Sequence, residues 1–186
     1  LGMLNLQTCH TQVNMKTLVI HPFDMTTKFL EQIYHGKDWT IIDDVRVSKN
    51  TLIKEIKAHD RIVMMGHGTK YGLFAKGRGT IIDSTYVKIL REKQIVAIWC
   101  NADEFVKKYE LKGFYTGMII SEMDEAEYLN VPYTYQSVVE SNILFTQAMT
   151  DSIDAEDMLT EAKAIYCIDD TDNEIINYNK VRLYTR

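Results

Sequence analysis

No stretch of this 186-residue chain is apolar for long enough to cross a membrane, which takes roughly 18 to 20 residues. The opening segment, Leu1 to His10, has no basic n-region and too short an apolar run for a secretory signal. Positive charge is also in deficit. A net charge of −5 argues against nucleic acid or an anionic membrane as the main partner. Three cysteines, an odd number without a secretory signal, argue against a disulfide framework. No C-x-x-C or H-x₃₋₅-H spacing offers a structural zinc site. The acidic run Asp169-Asp170-Thr171-Asp172-Asn173-Glu174 lacks the glycine and distal glutamate of an EF-hand loop and reads as a solvated turn. These absences lead us to expect a cytosolic protein without a metal.

Nucleotide motifs are missing too. No G-x-x-x-x-G-K-[ST] and no G-x-G-x-x-G follows a strand. In Gly66-His67-Gly68, Gly68 stands where the G-x-S-x-G elbow of a hydrolase would place its serine. The residues after Cys100 lack the arginine that a phosphatase loop requires.

What is present is a globular composition, 46% hydrophobic and 25% charged, on a length that suits one domain. Residues 1–14 show no clear periodicity and read as an N-terminal arm or extension, with a single α/β domain over 15–186. Strand and helix patterns then alternate: strands at 17–21, 40–43, 62–65, 95–99 and 114–121, and helices at 26–34, 48–59, 83–92, 101–110, 137–151 and 155–166. The glycine-punctuated segment 71–82 reads as a hairpin, and 181–184 as an edge strand. Alternation at these lengths implies a mostly parallel sheet covered on both faces, a three-layer α/β/α arrangement.

Two of these strands end in reactive side chains. Arg61-Ile-Val-Met-Met-Gly-His67-Gly68 and Gln94-Ile-Val-Ala-Ile-Trp-Cys100 place His67 and Cys100 33 positions apart, a length that suits a βαβ crossover between neighbouring parallel strands. Open α/β sheets bind ligands just past the carboxyl ends of their strands. An imidazole and a thiol there are the minimum for nucleophilic catalysis. Asn101 with Glu104 approximates a capping box, so the dipole of the following helix is expected to favour the Cys100 thiolate. The N–H groups of Gly68 and Cys100 are candidate oxyanion donors, and Gly68 has no side chain to block close approach. The plainer alternative is a buried structural cysteine and a histidine hydrogen-bonded in a turn. His21, with Asp24 and Thr26, borders the same edge and reads chiefly as strand termination and capping.

The order of a hydrophobic strand ending in His67-Gly68, a hairpin, a helix from Ser84 and a second hydrophobic strand ending in Cys100 resembles the caspase-like (clan CD) cysteine peptidases. With Gly117-Met-Ile-Ile-Ser121 and the later helices, the pattern is closest to CHAT and gingipain-type domains. The resemblance implies a caspase-like fold and a cysteine hydrolase of the peptidase class that needs no cofactor. His67 would be its base or imidazolium partner, Cys100 its nucleophile, and a peptide or protein its substrate. The chain departs from the family in Trp99, a bulky residue before the cysteine, and in Asn101-Ala102-Asp103 after it. Trp99, Asp103 and Glu104 are weaker candidates for substrate contact. Two other readings stand beside this one: a non-catalytic caspase-like module that binds a protein or small ligand at the same edge, and a flavodoxin-like fold holding an anion at the His21–Thr27 loop. Oligomeric state is left open.

Overall fold

The computed structural model describes residues 15–167 and 171–186; the proposed N-terminal arm and Asp169 and Asp170 of the acidic run lie outside them. Six strands form the main sheet: β1 (Thr17–Ile20), β2 (Thr40–Ile42), β3 (Arg61–Met65), β7 (Gln94–Ile98), β8 (Lys112–Thr116) and β9 (Leu183–Thr185). Their spatial order is β2-β1-β3-β7-β8-β9. Every neighbouring pair is parallel except β8 with β9. The central strands are apolar on both faces because both faces are covered. Leu18, Ile20, Ile62 and Met64 pack on one side with helices α1 (Lys49–Ala58), α2 (Val87–Leu90) and α3 (Ala102–Tyr109). Val19, Val63 and Met65 pack on the other with the 3₁₀ helix Lys28–Ile33, α5 (Tyr135–Ser152) and α6 (Met158–Tyr166). Burying each such side chain contributes roughly 1.5–3 kcal/mol. The architecture is α/β with helices on both faces of a mostly parallel sheet.

The glycine-punctuated segment forms a separate antiparallel sheet of three short strands: β4 (Gly68–Thr69), β5 (Gly72–Ala75) and β6 (Gly79–Ile82). Gly72 is obligatory here. Its φ is +136°, and a Cβ would sit 1.9 Å from the Ile82 carbonyl oxygen.

Several element boundaries differ from the sequence reading. The helix expected over 26–34 is a 3₁₀ helix, because Asp24 Oδ1 draws the Thr26 amide and hydroxyl into a turn at its start. Asp83 caps as expected, accepting from Thr85 N, but the helix breaks into a 3₁₀ turn, Ser84–Tyr86, followed by the single turn of α2. The strand expected over 114–121 ends at Thr116, and the chain turns over the sheet edge into a short helix, α4 (Met123–Tyr128). A further helix, α7 (Glu174–Lys180), opens where the acidic run was read as a turn; Asn173 Oδ1 caps it by accepting from Ile175 N and Ile176 N.

Connectivity marks one place on this sheet. The link from β1 to β2 runs over the α5 face through the 3₁₀ helix, whereas the link from β3 to β7 runs over the opposite face through α2. Adjacent strands β1 and β3 therefore send their chains apart, which opens a crevice at their carboxyl ends.

Candidate active site

Register brings the two reactive residues level. Met65 of β3 pairs with Ile98 of β7, and Gly66 N continues the ladder to Ile98 O at 3.1 Å. His67 and Cys100 each stand two residues beyond that matched pair. They line one small cleft with Thr27, Leu30, Trp99, Ile119, Ser121 and Glu125. The space enclosed is about 20 Å³, room for about one water. Larger grooves lie elsewhere, one of about 460 Å³ between the 3₁₀ helix and α5. His67 and Cys100 share the cleft without a hydrogen bond between them.

His67 is oriented by the loop that leaves β1. Its Nε2 lies 2.6 Å from Thr26 Oγ1, and the Thr26 hydroxyl donates to Asp24 Oδ1 at 2.9 Å. Thr26 has one hydroxyl proton, and it points at Asp24. The short contact therefore places a proton on Nε2 and leaves Nδ1 of the neutral ring as the basic nitrogen. Phe74 of β5 stacks on the imidazole at 5.9 Å between ring centroids. Asp24 is held below its ordinary carboxylate pKa, first by the Thr26 amide, against a contribution from burial, and then by the Thr26 hydroxyl and His67. Asp24 Oδ1 and Glu122 Oε1 lie 4.0 and 3.9 Å from Nε2, close enough to pair with an imidazolium.

Cys100 meets different surroundings from those expected. Asn101 adopts a left-handed conformation (φ 64°) and makes no side-chain cap bond, so the Asn101–Glu104 capping box does not form. The single thiol proton faces two acceptors instead, Ile119 O and Glu125 Oε1, each 3.6 Å from Sγ. Burial, then the Glu125 carboxylate, pushes its pKa up to about 12. The dipole-favoured thiolate is thus replaced by a neutral thiol.

Trp99 fills the space beneath the hairpin. It is 1% exposed, packs edge-on against Phe105 and donates from Nε1 to Thr69 O at 3.1 Å. This gives Gly68 a different purpose from the one read in the sequence. A Cβ at Gly68 would lie 2.0 Å from Trp99 Cδ1, so the missing side chain makes room for the indole. The Gly68 amide is turned away from β5. Phe74 N donates to His67 O, which leaves Gly68 and Leu73 as a non-hydrogen-bonded pair. The Cys100 amide donates to no backbone group among the described residues.

Asp103 and Glu104 do not join the cleft. Asp103 pairs with Lys107 at 3.1 Å along α3, and Glu104 faces solvent. The acids that do approach are Asp24, Glu122 and Glu125. Glu125 is fixed by Ser121 N, Ser121 Oγ and Glu122 N, all donating to Oε2 at 2.7 to 3.1 Å. Its spacing from Glu122 at the head of a helix is the local signal that would have found it. No group of three or more metal-ligating residues occurs among the described residues. None of the described helices is long and apolar enough to cross a membrane. In comparisons with known proteins, the chain matches no family model and no curated protein.

Proposed function

We propose that the chain is a caspase-like cysteine hydrolase, of the peptidase class, with Cys100 as nucleophile and His67 as base. The observation that carries this reading is the level placement of the two groups in one cleft, with His67 oriented through Thr26 by Asp24.

In the reaction, His67 Nδ1 accepts the thiol proton and Cys100 Sγ attacks the substrate carbonyl carbon. The carbonyl π electrons move to oxygen, and the Gly68 and Cys100 amides are the donors proposed for the oxyanion. Collapse expels the amine, which takes the proton from His67 and leaves a thioester on Cys100. Water, deprotonated by His67, then attacks the thioester; the acid leaves and the thiol is restored. The chemistry asks for no cofactor. Cleavage of a panel of peptide amides bearing a fluorogenic leaving group tests it. Activity should vanish in Cys100→Ala and fall by at least about a hundredfold in His67→Ala.

Two observations favour a second reading, a caspase-like module that binds a protein or small ligand at this edge without turnover. The cleft is small and its thiol is neutral. Binding of peptides by the Cys100→Ala variant, with no cleavage by the parent chain, would support that module.

A further inference from the structure

We propose that Glu125 is an internal latch that keeps Cys100 protonated and covered until the segment carrying it moves away. This proposal rests on Cys100 being the nucleophile of the reading above and adds how that nucleophile is restrained.

Three features of the geometry converge on it. The thiol has two acceptors, Ile119 O from the β8–α4 link and Glu125 Oε1 from α4, and neither comes from His67. Glu125 cannot swing aside by a rotamer change alone without losing the three donors that hold its other oxygen. Ile119, Ser121 and Glu125 form one wall of the cleft, whose space of about 20 Å³ is too small for a peptide carbonyl with its flanking chain. An acceptor that is also an anion favours S–H over S⁻, since the thiolate would face a carboxylate across the same gap. Glu122, the N-cap of α4, adds a second negative charge. From the β1 side stands Asp24, and from the end of β3 His67. Of these, only Glu125 touches the sulfur.

A second clamp holds the latch in place from a distance. Asn179 of α7 is 2% exposed. Its Oδ1 accepts from Ile120 N at 2.7 Å, and its Nδ2 donates to Ile120 O at 2.8 Å. Ser141 and Tyr166 brace this amide, Ser141 Oγ lying 3.4 Å from Nδ2 and 2.8 Å from the Tyr166 hydroxyl. Ile120 sits between Ile119 and Ser121, so the clamp fixes both neighbours that face the cleft. Asn179 is a positioning residue for the latch. Opening the site means breaking the Asn179–Ile120 amide pair, the three bonds to Glu125 Oε2 and the bond from Asn142 Nδ2 to Ser121 O.

The test is alkylation of Cys100 by iodoacetamide, a small neutral probe, followed by peptide mass spectrometry. Each unit of fall in thiol pKa raises the thiolate about tenfold and lowers its nucleophilicity about threefold, a net gain of about threefold. Glu125→Gln keeps an acceptor for Ser121 and Glu122 but removes the charge, and should speed alkylation at pH 8 by about tenfold. Asn179→Ala, which leaves every contact of the sulfur in place chemically, should speed it by about threefold or more. In the parent chain the rate should keep climbing to pH 10 without a plateau. Unchanged or slower alkylation in both variants, or a plateau below pH 9 in the parent, overturns the latch. His67→Ala plays no part in this test, so a latch that holds on a chain without hydrolase activity is a distinct outcome. It would leave the restraint standing and remove the peptidase.

Discussion

Thr26 and His67, 41 positions apart, share a 2.6 Å hydrogen bond across the crevice between β1 and β3. The bond joins the two loops that the sheet sends in opposite directions, and it fixes which imidazole nitrogen carries the proton. Thr26→Val keeps the shape and removes the hydroxyl. It should lower kcat for peptide hydrolysis by about tenfold to a hundredfold with little change in KM, because the ring loses its preferred tautomer rather than its substrate contacts. A change in KM alone would assign Thr26 to binding instead.

Gly68 and Trp99 make a second testable pair. Gly68→Ala forces a methyl group into the indole and should destabilise the fold by about 2–3 kcal/mol in urea unfolding. Trp99→Leu on its own should also destabilise, through lost burial and the lost bond to Thr69. Combined, the two should cost less than their sum by about 1 kcal/mol or more, since the smaller side chain accepts the methyl. Strict additivity would assign the cost to the Gly72 carbonyl oxygen, 2.8 Å from the added Cβ, rather than to the indole.

His21 should contribute to the acid limb of stability. It is 3% exposed, with Nδ1 3.0 Å from the Tyr34 hydroxyl and Nε2 3.1 Å from the Thr27 hydroxyl. Burial lowers its pKa from 6.5 to about 4, outweighing the opposing pull of Asp43 and Asp24. Below pH 6.5 the unfolded chain takes up a proton that the folded chain refuses. Stability from this source is therefore complete above pH 6.5 and declines as the pH falls to about 4, by about 3 kcal/mol in all. Urea unfolding at intervals between pH 7 and pH 4.5 should show this slope, and His21→Gln should flatten it. A parent profile that is level across that window contradicts the assignment.

Much of the fold was legible because its signals are local. The runs Leu18–Ile20, Ile62–Met65 and Ile95–Ile98 are strands buried on both faces, and such strands announce themselves by unbroken hydrophobicity. Glycines 72, 77 and 79 mark the hairpin: Gly77 lies in its turn, and Gly72 and Gly79 open β5 and β6. The level placement of His67 and Cys100 followed from strand ends alone. Glu125 and Asn179 stayed hidden for a different reason. Their helices, α4 and α7, are six and seven residues long, too short for a periodic pattern to register. Both residues act on partners distant in the chain, 25 and 59 positions away. The thiol's protonation state was misread on the same account. The helix dipole was visible next door, whereas the carboxylate that opposes it arrives from another element.

The most direct measurement of the central claim is labelling of Cys100 by a peptidyl acyloxymethyl ketone, mapped by mass spectrometry against Cys167 in the same sample. It is run on the parent chain, on Glu125→Gln and on each with His67→Ala added. In Glu125→Gln, Cys100 should be labelled ahead of Cys167, faster than in the parent chain, and at least about tenfold more slowly when His67 is absent. Equal labelling of the two cysteines in Glu125→Gln, or a Cys100 rate indifferent to His67 in both backgrounds, would contradict a Cys100–His67 catalytic pair.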